Sequence, residues 1–197
     1  TGTDRNATFG MKSDVAIYGG FTGTETSRYQ RRWWEHETIL SADIGVEGDD
    51  SDNSHQVVRA TEVNSGGILD GFIITGANGP DARGAVMVSG GAPTFRNLIV
   101  RGNKVRFGGG FSIYGGVPTI VNTVIVDNEA IWEGGAVSAY SDARPLLVNV
   151  TVYGNHAERY AGAFYASAET YITVRNALVW GNTTNGSGGP IYLFPGT

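Results

Sequence analysis

The sequence predicts an all-β fold, a right-handed parallel β-helix (solenoid) with three short strands per coil of about 25 to 27 residues. Two observations predict it. Asparagine recurs at Asn97, Asn122, Asn149 and Asn176, one per coil period, and a second asparagine follows each by six, at Asn103, Asn128, Asn155 and Asn182. Thirty glycines against six prolines, with no collagen period, indicate many tight corners. Self-similarity at this spacing marks a solenoid in which each repeat buries its apolar face on the next.

Taken in chain order, the N-terminal part, 1–80, is irregular. Segments 15–18, 38–40, 56–60 and 72–75 keep a β-branched, apolar strand signature. Two excursions interrupt them: 22–37, containing Arg31-Arg32-Trp33-Trp34, and 45–54, containing Asp49, Asp50, Asp52 and Asn53. Insertions of this kind map to loops outside a solenoid. The tryptophan-rich loop reads as a staple over the barrel, with a second contact patch as the alternative.

From position 81 the repeat is regular. One strand per coil precedes the anchor asparagine, as in Pro93-Thr94-Phe95-Arg96 and Pro118-Thr119-Ile120-Val121, with proline at the strand start where its missing N–H is tolerated. A second lies between the asparagines, at 98–101, 123–126, 150–153 and 177–180. A third follows the glycines, at 85–88, 111–114, 136–139, 163–166 and 191–193. Stacking then predicts two inward ladders, Phe95, Ile120, Leu147 and Val174 in one, Val100, Ile125, Val152 and Val179 in the other. Their burial, at roughly 25 cal/mol per Å², is expected to hold the fold. Both asparagine columns are expected to be structural ladders, because an amide carries donors and an acceptor and can bond to its copy one coil away. The sequons Asn149-Val150-Thr151 and Asn182-Thr183-Thr184 fall on ladder positions and are discounted as glycan sites.

The chain is expected to be one β-helix domain over 1–197, irregular over 1–80 and regular over 81–197. Neither end carries a polar cap, so it is expected to be a fragment or processed piece of a longer protein. A net charge of −5 and no dense basic run argue against nucleic acid. There is no cysteine for disulfides or thiolate sites, and no apolar run reaches the ~18 residues of a membrane helix.

The run Val15-Ala16-Ile17-Tyr18-Gly19-Gly20-Phe21-Thr22-Gly23-Thr24-Glu25-Thr26, the segment 28–34 and Thr38-Ile39-Leu40-Ser41-Ala42-Asp43 resemble the opening coils of bacterial surface β-helix proteins. The Gly-Gly-Gly, Pro-Thr-x-x-Asn and Trp180-Gly181-Asn182-Thr183 elements resemble their repeats. These proteins are related to chlamydial polymorphic outer-membrane protein repeats and, more distantly, to pectate-lyase-like folds. The resemblance implies an extracellular or cell-surface location and a role in adhesion. One departure is the Gly-Gly-Gly of 108–110, which becomes Glu133-Gly134-Gly135 and Tyr160-Ala161-Gly162, where a bulkier turn is expected.

A polysaccharide-cleaving enzyme on such a fold needs paired carboxylates or a base beside a charge-neutralising group. The third-strand residues supply no carboxylate, lysine or arginine. The adjoining turns supply Glu129, Glu133, His156 and Arg159, the weaker, catalytic alternative. They also supply Arg106, Phe107, Trp132 and Tyr160, expected along one edge as the candidate ligand-binding surface, with a mere cover over the core as the alternative. His36, His55 and His156 show no zinc spacing. Asp49, Asp50 and Asp52 offer oxygens of the kind calcium takes, without EF-hand spacing; they read as a solvated loop, so no cofactor is expected, with a calcium site as the alternative. The expected role is therefore a non-catalytic extracellular module for adhesion, glycan contact or scaffolding. A polysaccharide lyase or glycoside hydrolase is the alternative, and end-to-end self-association through open strand edges a third outcome.

Overall fold

A computed structural model describes residues 2–194; residue 1 and residues 195–197 of the expected single unit lie outside them. Parallel strands stack in coils and form three sheets. Sheet I holds Phe9–Gly10, Val58–Thr61, Val86–Ser89, Phe111–Tyr114, Val137–Tyr140, Phe164–Ala166 and Ile191–Leu193. Sheet II is bent into two limbs. Thr94–Arg96 and Ile99–Arg101 are the separate limbs of one coil, and Thr119–Val126 and Leu146–Tyr153 run through both limbs in the next two. Sheet III holds Asn78–Arg83, Lys104–Phe107, Glu129–Glu133, His156–Ala157 and Thr183–Thr184. The two strands expected around the anchor asparagine are thus the limbs of sheet II, and the strand after the glycines is sheet I. Sheet III forms from residues that read as turns in the sequence.

The bend in sheet II has a local cause. Asn97, Asn122, Asn149 and Asn176 have φ of 55°, 49°, 55° and 50°, the left-handed region that asparagine enters more readily than other residues with a Cβ. Their side chains form an outer ladder: Asn149 donates to Asn122 at 3.1 Å, Asn122 to Asn97 at 3.4 Å and Asn97 to the Asp70 carboxylate at 2.8 Å. The inner ladder is buried. Asn103 donates to Asn128, Asn128 to Asn155 and Asn155 to Asn182 at 2.9, 2.9 and 2.8 Å. Each of the first three also donates to two backbone carbonyls, so the ladder satisfies polar groups that the corner would otherwise bury unpaired.

The inward ladders pair as the spacing predicts, Phe95 with Ile120 and Leu147, and Val100 with Ile125 and Val152, all fully buried. Val174 continues the first column and Val179 the second, but there Val174 is exposed and Val179 only half-buried. Phe111, Ile113, Val137 and Phe164 enter the same core from sheet I.

The bulky residues Glu133 and Tyr160 stand one place before the glycine turn, and its columns gain only the methyl groups of Ala136, Ala161 and Ala163. Pairing sets Phe107 opposite Glu133, and the backbone bonds Gly108 N to Glu133 O and Gly109 N to Gly134 O put Gly108, Gly134 and Ala161 in one column. The cause is a β-bulge in sheet III between Val105 and Phe107, which shifts the next coil by one residue. Successive coils are in backbone contact at this corner, where a Cβ on Gly135 would run into the Gly162 carbonyl oxygen.

The first long loop is stapled down. Arg31 pairs at 2.6 Å with Asp70, which also takes Arg96 at 2.7 Å, and the Asp70 side chain is 1% exposed. Desolvation alone would raise the Asp70 carboxyl, but the Arg31, Asn97 and Arg96 donors outweigh it and hold it below the ordinary carboxylate range. No helix among the described residues is long and apolar enough to cross a membrane.

Candidate functional site: the flank between sheets III and I

The register shift decides what lies at the rim where sheet III turns into sheet I. Pairing aligns Arg83, Phe107, Glu133 and Tyr160 in one column, one residue per coil. Ile131 and Trp132 together stand opposite Arg106 at the bulge, and the Trp132 ring meets Phe107 edge-on at 5.5 Å. Facing this column are the outward residues of sheet I. Arg59, Met87, Ser112, Ser138, Tyr165 and Tyr192 form one line, and Tyr114 and Tyr140 part of the next. Ser112 and Ser138 alternate with core residues and yet are fully buried, because the surrounding side chains cover them; Ser138 Oγ donates to Ser112 Oγ at 3.2 Å.

The covering is mostly aromatic. Tyr114 stacks on Tyr140 with centroids 4.7 Å apart, Tyr140 lies 5.6 Å from Tyr165, and Tyr165 stacks on Tyr192 at 5.8 Å. Phe107 reaches Tyr140 at 6.3 Å, and Tyr160 reaches both Tyr165 and Tyr192. Three guanidinium groups lie on these rings. Arg83 sits 4.4 Å from the Tyr114 centroid, Arg106 4.5 Å and Arg159 4.2 Å from that of Trp132. Toward the N-terminus the flank opens into a cleft of about 450 Å³ lined by His55, Gln56, Arg59, Asp81, Arg83 and Met87 among others.

Glu133 is the acid of this flank. It is 8% exposed, and the Tyr140 hydroxyl donates to its Oε1 at 2.9 Å. Burial pushes its carboxyl above the ordinary range, against the opposing pull of Tyr140 and of Arg159, Arg106 and Arg83. Burial and the nearby Glu133 push the Tyr140 hydroxyl up as well, and Tyr165 up to about 12.

Of the residues singled out from sequence, Phe107, Trp132 and Arg106 meet directly, with Tyr160 along the same rim. The four catalytic candidates divide. Glu129 and His156 pair on the outer face of sheet III, where Glu129 bridges Lys104 at 2.7 Å and His156 contacts Thr183 Oγ1 at 2.9 Å and Glu158 at 3.4 Å. Glu133 lies four residues along the strand, roughly 13 Å away by strand rise, near Arg159. In the acidic loop, Asp49 caps a short 3₁₀ turn through the Ser51 N–H and Asp52 accepts from the Val46 N–H. Among the described residues no group of three or more His, Cys, Asp or Glu side chains is placed to hold a metal ion.

The sequence reading misses the tyrosine wall and Arg83. A signal existed for the first, since Tyr114 and Tyr140, like Tyr165 and Tyr192, are separated by close to one coil period. For Arg83 there was none, because its strand carries extra residues relative to Lys104–Phe107. Comparison with known proteins finds no matching family model, no similar curated protein and no similar solved structure.

Proposed function

We propose that this solenoid is a non-catalytic glycan-binding module displayed outside the cell, and that it holds an extended sugar chain along the flank between sheets III and I. The observation that carries this reading is the run of rings from Tyr114 through Tyr140 and Tyr165 to Tyr192, faced by Phe107, Trp132 and Tyr160. Rings offer flat apolar faces to the C–H faces of sugars at little entropic cost, and the flanking hydroxyls and guanidinium groups serve sugar oxygens. From Arg59 to Tyr192 the flank crosses five coil-to-coil steps, about 24 Å at the usual strand spacing. That suits a polymer better than a single sugar.

The test is binding of the whole chain to a panel of soluble polysaccharides, followed by Trp132→Ala. Loss of about 2 kcal/mol, roughly thirtyfold in affinity, is expected if Trp132 is an anchor. No binding across the panel would overturn the reading.

A second reading, polysaccharide cleavage, is favoured by one observation: a buried carboxyl of raised pKa, Glu133, in the middle of the flank. Against it, Glu129 and His156 sit apart from Glu133 and are engaged with other partners. New ultraviolet absorbance or new reducing ends from a bound polymer, abolished in Glu133→Gln, would establish it.

A further inference from the structure

The flank's arginines contrast with others in the chain. Arg31 and Arg96 are paired with Asp70, Arg32 with Glu35, and the side chain of Arg5 is bonded to the Asn53 and Asn78 carbonyls. On the flank, Arg159 lies on Trp132 with no hydrogen bond or ion pair to its guanidinium among the described residues. Arg83 is held between Tyr114 and Phe107, and its Nη1 is buried without an acceptor. Arg106 has one partner, Asp81, whose carboxylate is 91% exposed, and Arg59 donates only to Gln56 at 2.6 Å. The buried acid of the flank, Glu133, has its charged form disfavoured by burial.

Four guanidinium groups therefore share one flank of a protein whose net charge is −5. Stacking fixes three of them as planar forks; of these, only Arg106 spends an N–H on a protein carboxylate, that of the exposed Asp81. A buried donor without an acceptor is unfavourable, so an oxyanion supplied by a ligand offsets a penalty already present in the free protein. Forked pairs of N–H groups match the geometry of carboxylate and sulfate oxygens.

We infer that the ligand of this flank is an anionic glycan, whose carboxylate or sulfate groups are taken by Arg59, Arg83, Arg106 and Arg159 while its rings lie on the aromatic wall. The inference rests on the glycan-binding reading and names the substrate class for that site.

Matched polymers test it on the whole chain: dextran sulfate against dextran, and polygalacturonate against its methyl ester, each at low and high salt. The anionic member of at least one pair is expected to bind at least tenfold more tightly than its neutral partner, with the advantage shrinking as salt rises. Preference within the first pair identifies sulfate as the group, and within the second carboxylate. Arg159→Gln, at an exposed position, is expected to reduce anionic affinity about threefold to tenfold and neutral affinity by less, so that the preference for the anionic member narrows; Arg83→Gln is expected to do the same. Equal binding of neutral and anionic members, or an Arg159→Gln variant with unchanged preference, overturns the anionic class while the glycan reading stands. No binding of any polymer overturns both.

Discussion

Replacing Asn128 by alanine removes one rung of the inner ladder, and its cost is set by what the amide contacts. Asn128 donates to the Val100 carbonyl at 2.9 Å, the Val126 carbonyl at 3.1 Å and Asn155 Oδ1 at 2.9 Å. It accepts from Asn103 Nδ2 at 2.9 Å and the Asn103 backbone N–H at 3.3 Å. After truncation Asn103 Nδ2 still reaches the Ile74 and Arg101 carbonyls, but the Asn103 N–H is left buried without its acceptor. At about 1 kcal/mol net for each of the two amide N–H groups and about 1–3 for the orphaned donor, the loss is expected to be about 3–5 kcal/mol. That is a large part of the roughly 5–15 kcal/mol that stabilises a typical domain. Asn122 in the outer ladder is exposed, so there the main cost of alanine is its φ of 49°, about 1–2 kcal/mol, and glycine is expected to be nearly neutral. Asn128→Asp adds a pH signature. One carboxylate oxygen would face three acceptors, so burial and those oxygens raise its folded pKa above the unfolded value near 4. Its stability is then fullest in acid and is lost as pH rises through the folded pKa. Denaturant unfolding of the four variants checks this. An Asn128→Ala cost no greater than that of Asn122→Ala would refute the claim that the inner ladder serves polar satisfaction.

Asp70→Asn leaves Arg31 without its buried counter-charge and is expected to cost about 3–5 kcal/mol, with faster proteolysis within 22–37; unchanged cleavage there would mean that other contacts hold the loop. Since the wild-type Asp70 carboxyl is held low, its contribution is present above an unfolded pKa near 4 and lost as pH falls below it. Glu133 runs the other way. Its raised carboxyl lends stability that is full in acid and lost as pH rises through its folded pKa, so Glu133→Gln is expected to flatten the decline of the melting temperature as pH rises above an unfolded value near 4. Gly135→Ala drives a Cβ into the Gly162 carbonyl and is expected to destabilise by about 1–3 kcal/mol in thermal melts, whereas Gly115→Ala meets only the Ser141 carbonyl oxygen at 3.5 Å and differs by the strain of its positive φ alone.

The repeat was legible because solenoid stacking copies one coil's contacts onto the next. Asn103, Asn128, Asn155 and Asn182 must recur where one amide bonds to its copy, and Phe95, Ile120 and Leu147 where one apolar side chain covers another. The rim aromatics Phe107 and Trp132 were legible as one edge for the same reason. Sheet III was not, because its strands mix charged, aromatic and small residues without clean alternation. Lys104-Val105-Arg106-Phe107 buries only Val105 and keeps its long side chains half outside.

By itself, then, the sequence determined the fold class, the coil period and both asparagine ladders, since these follow from local spacing. The tertiary structure alone decided which side chains share the flank. A one-residue bulge in sheet III made Glu133, not Trp132, the backbone register partner of Phe107, and carried that carboxyl under the Tyr140 hydroxyl of the neighbouring sheet. Register across coils comes from backbone pairing, and a single inserted residue shifts every later neighbour without altering the composition of the strand.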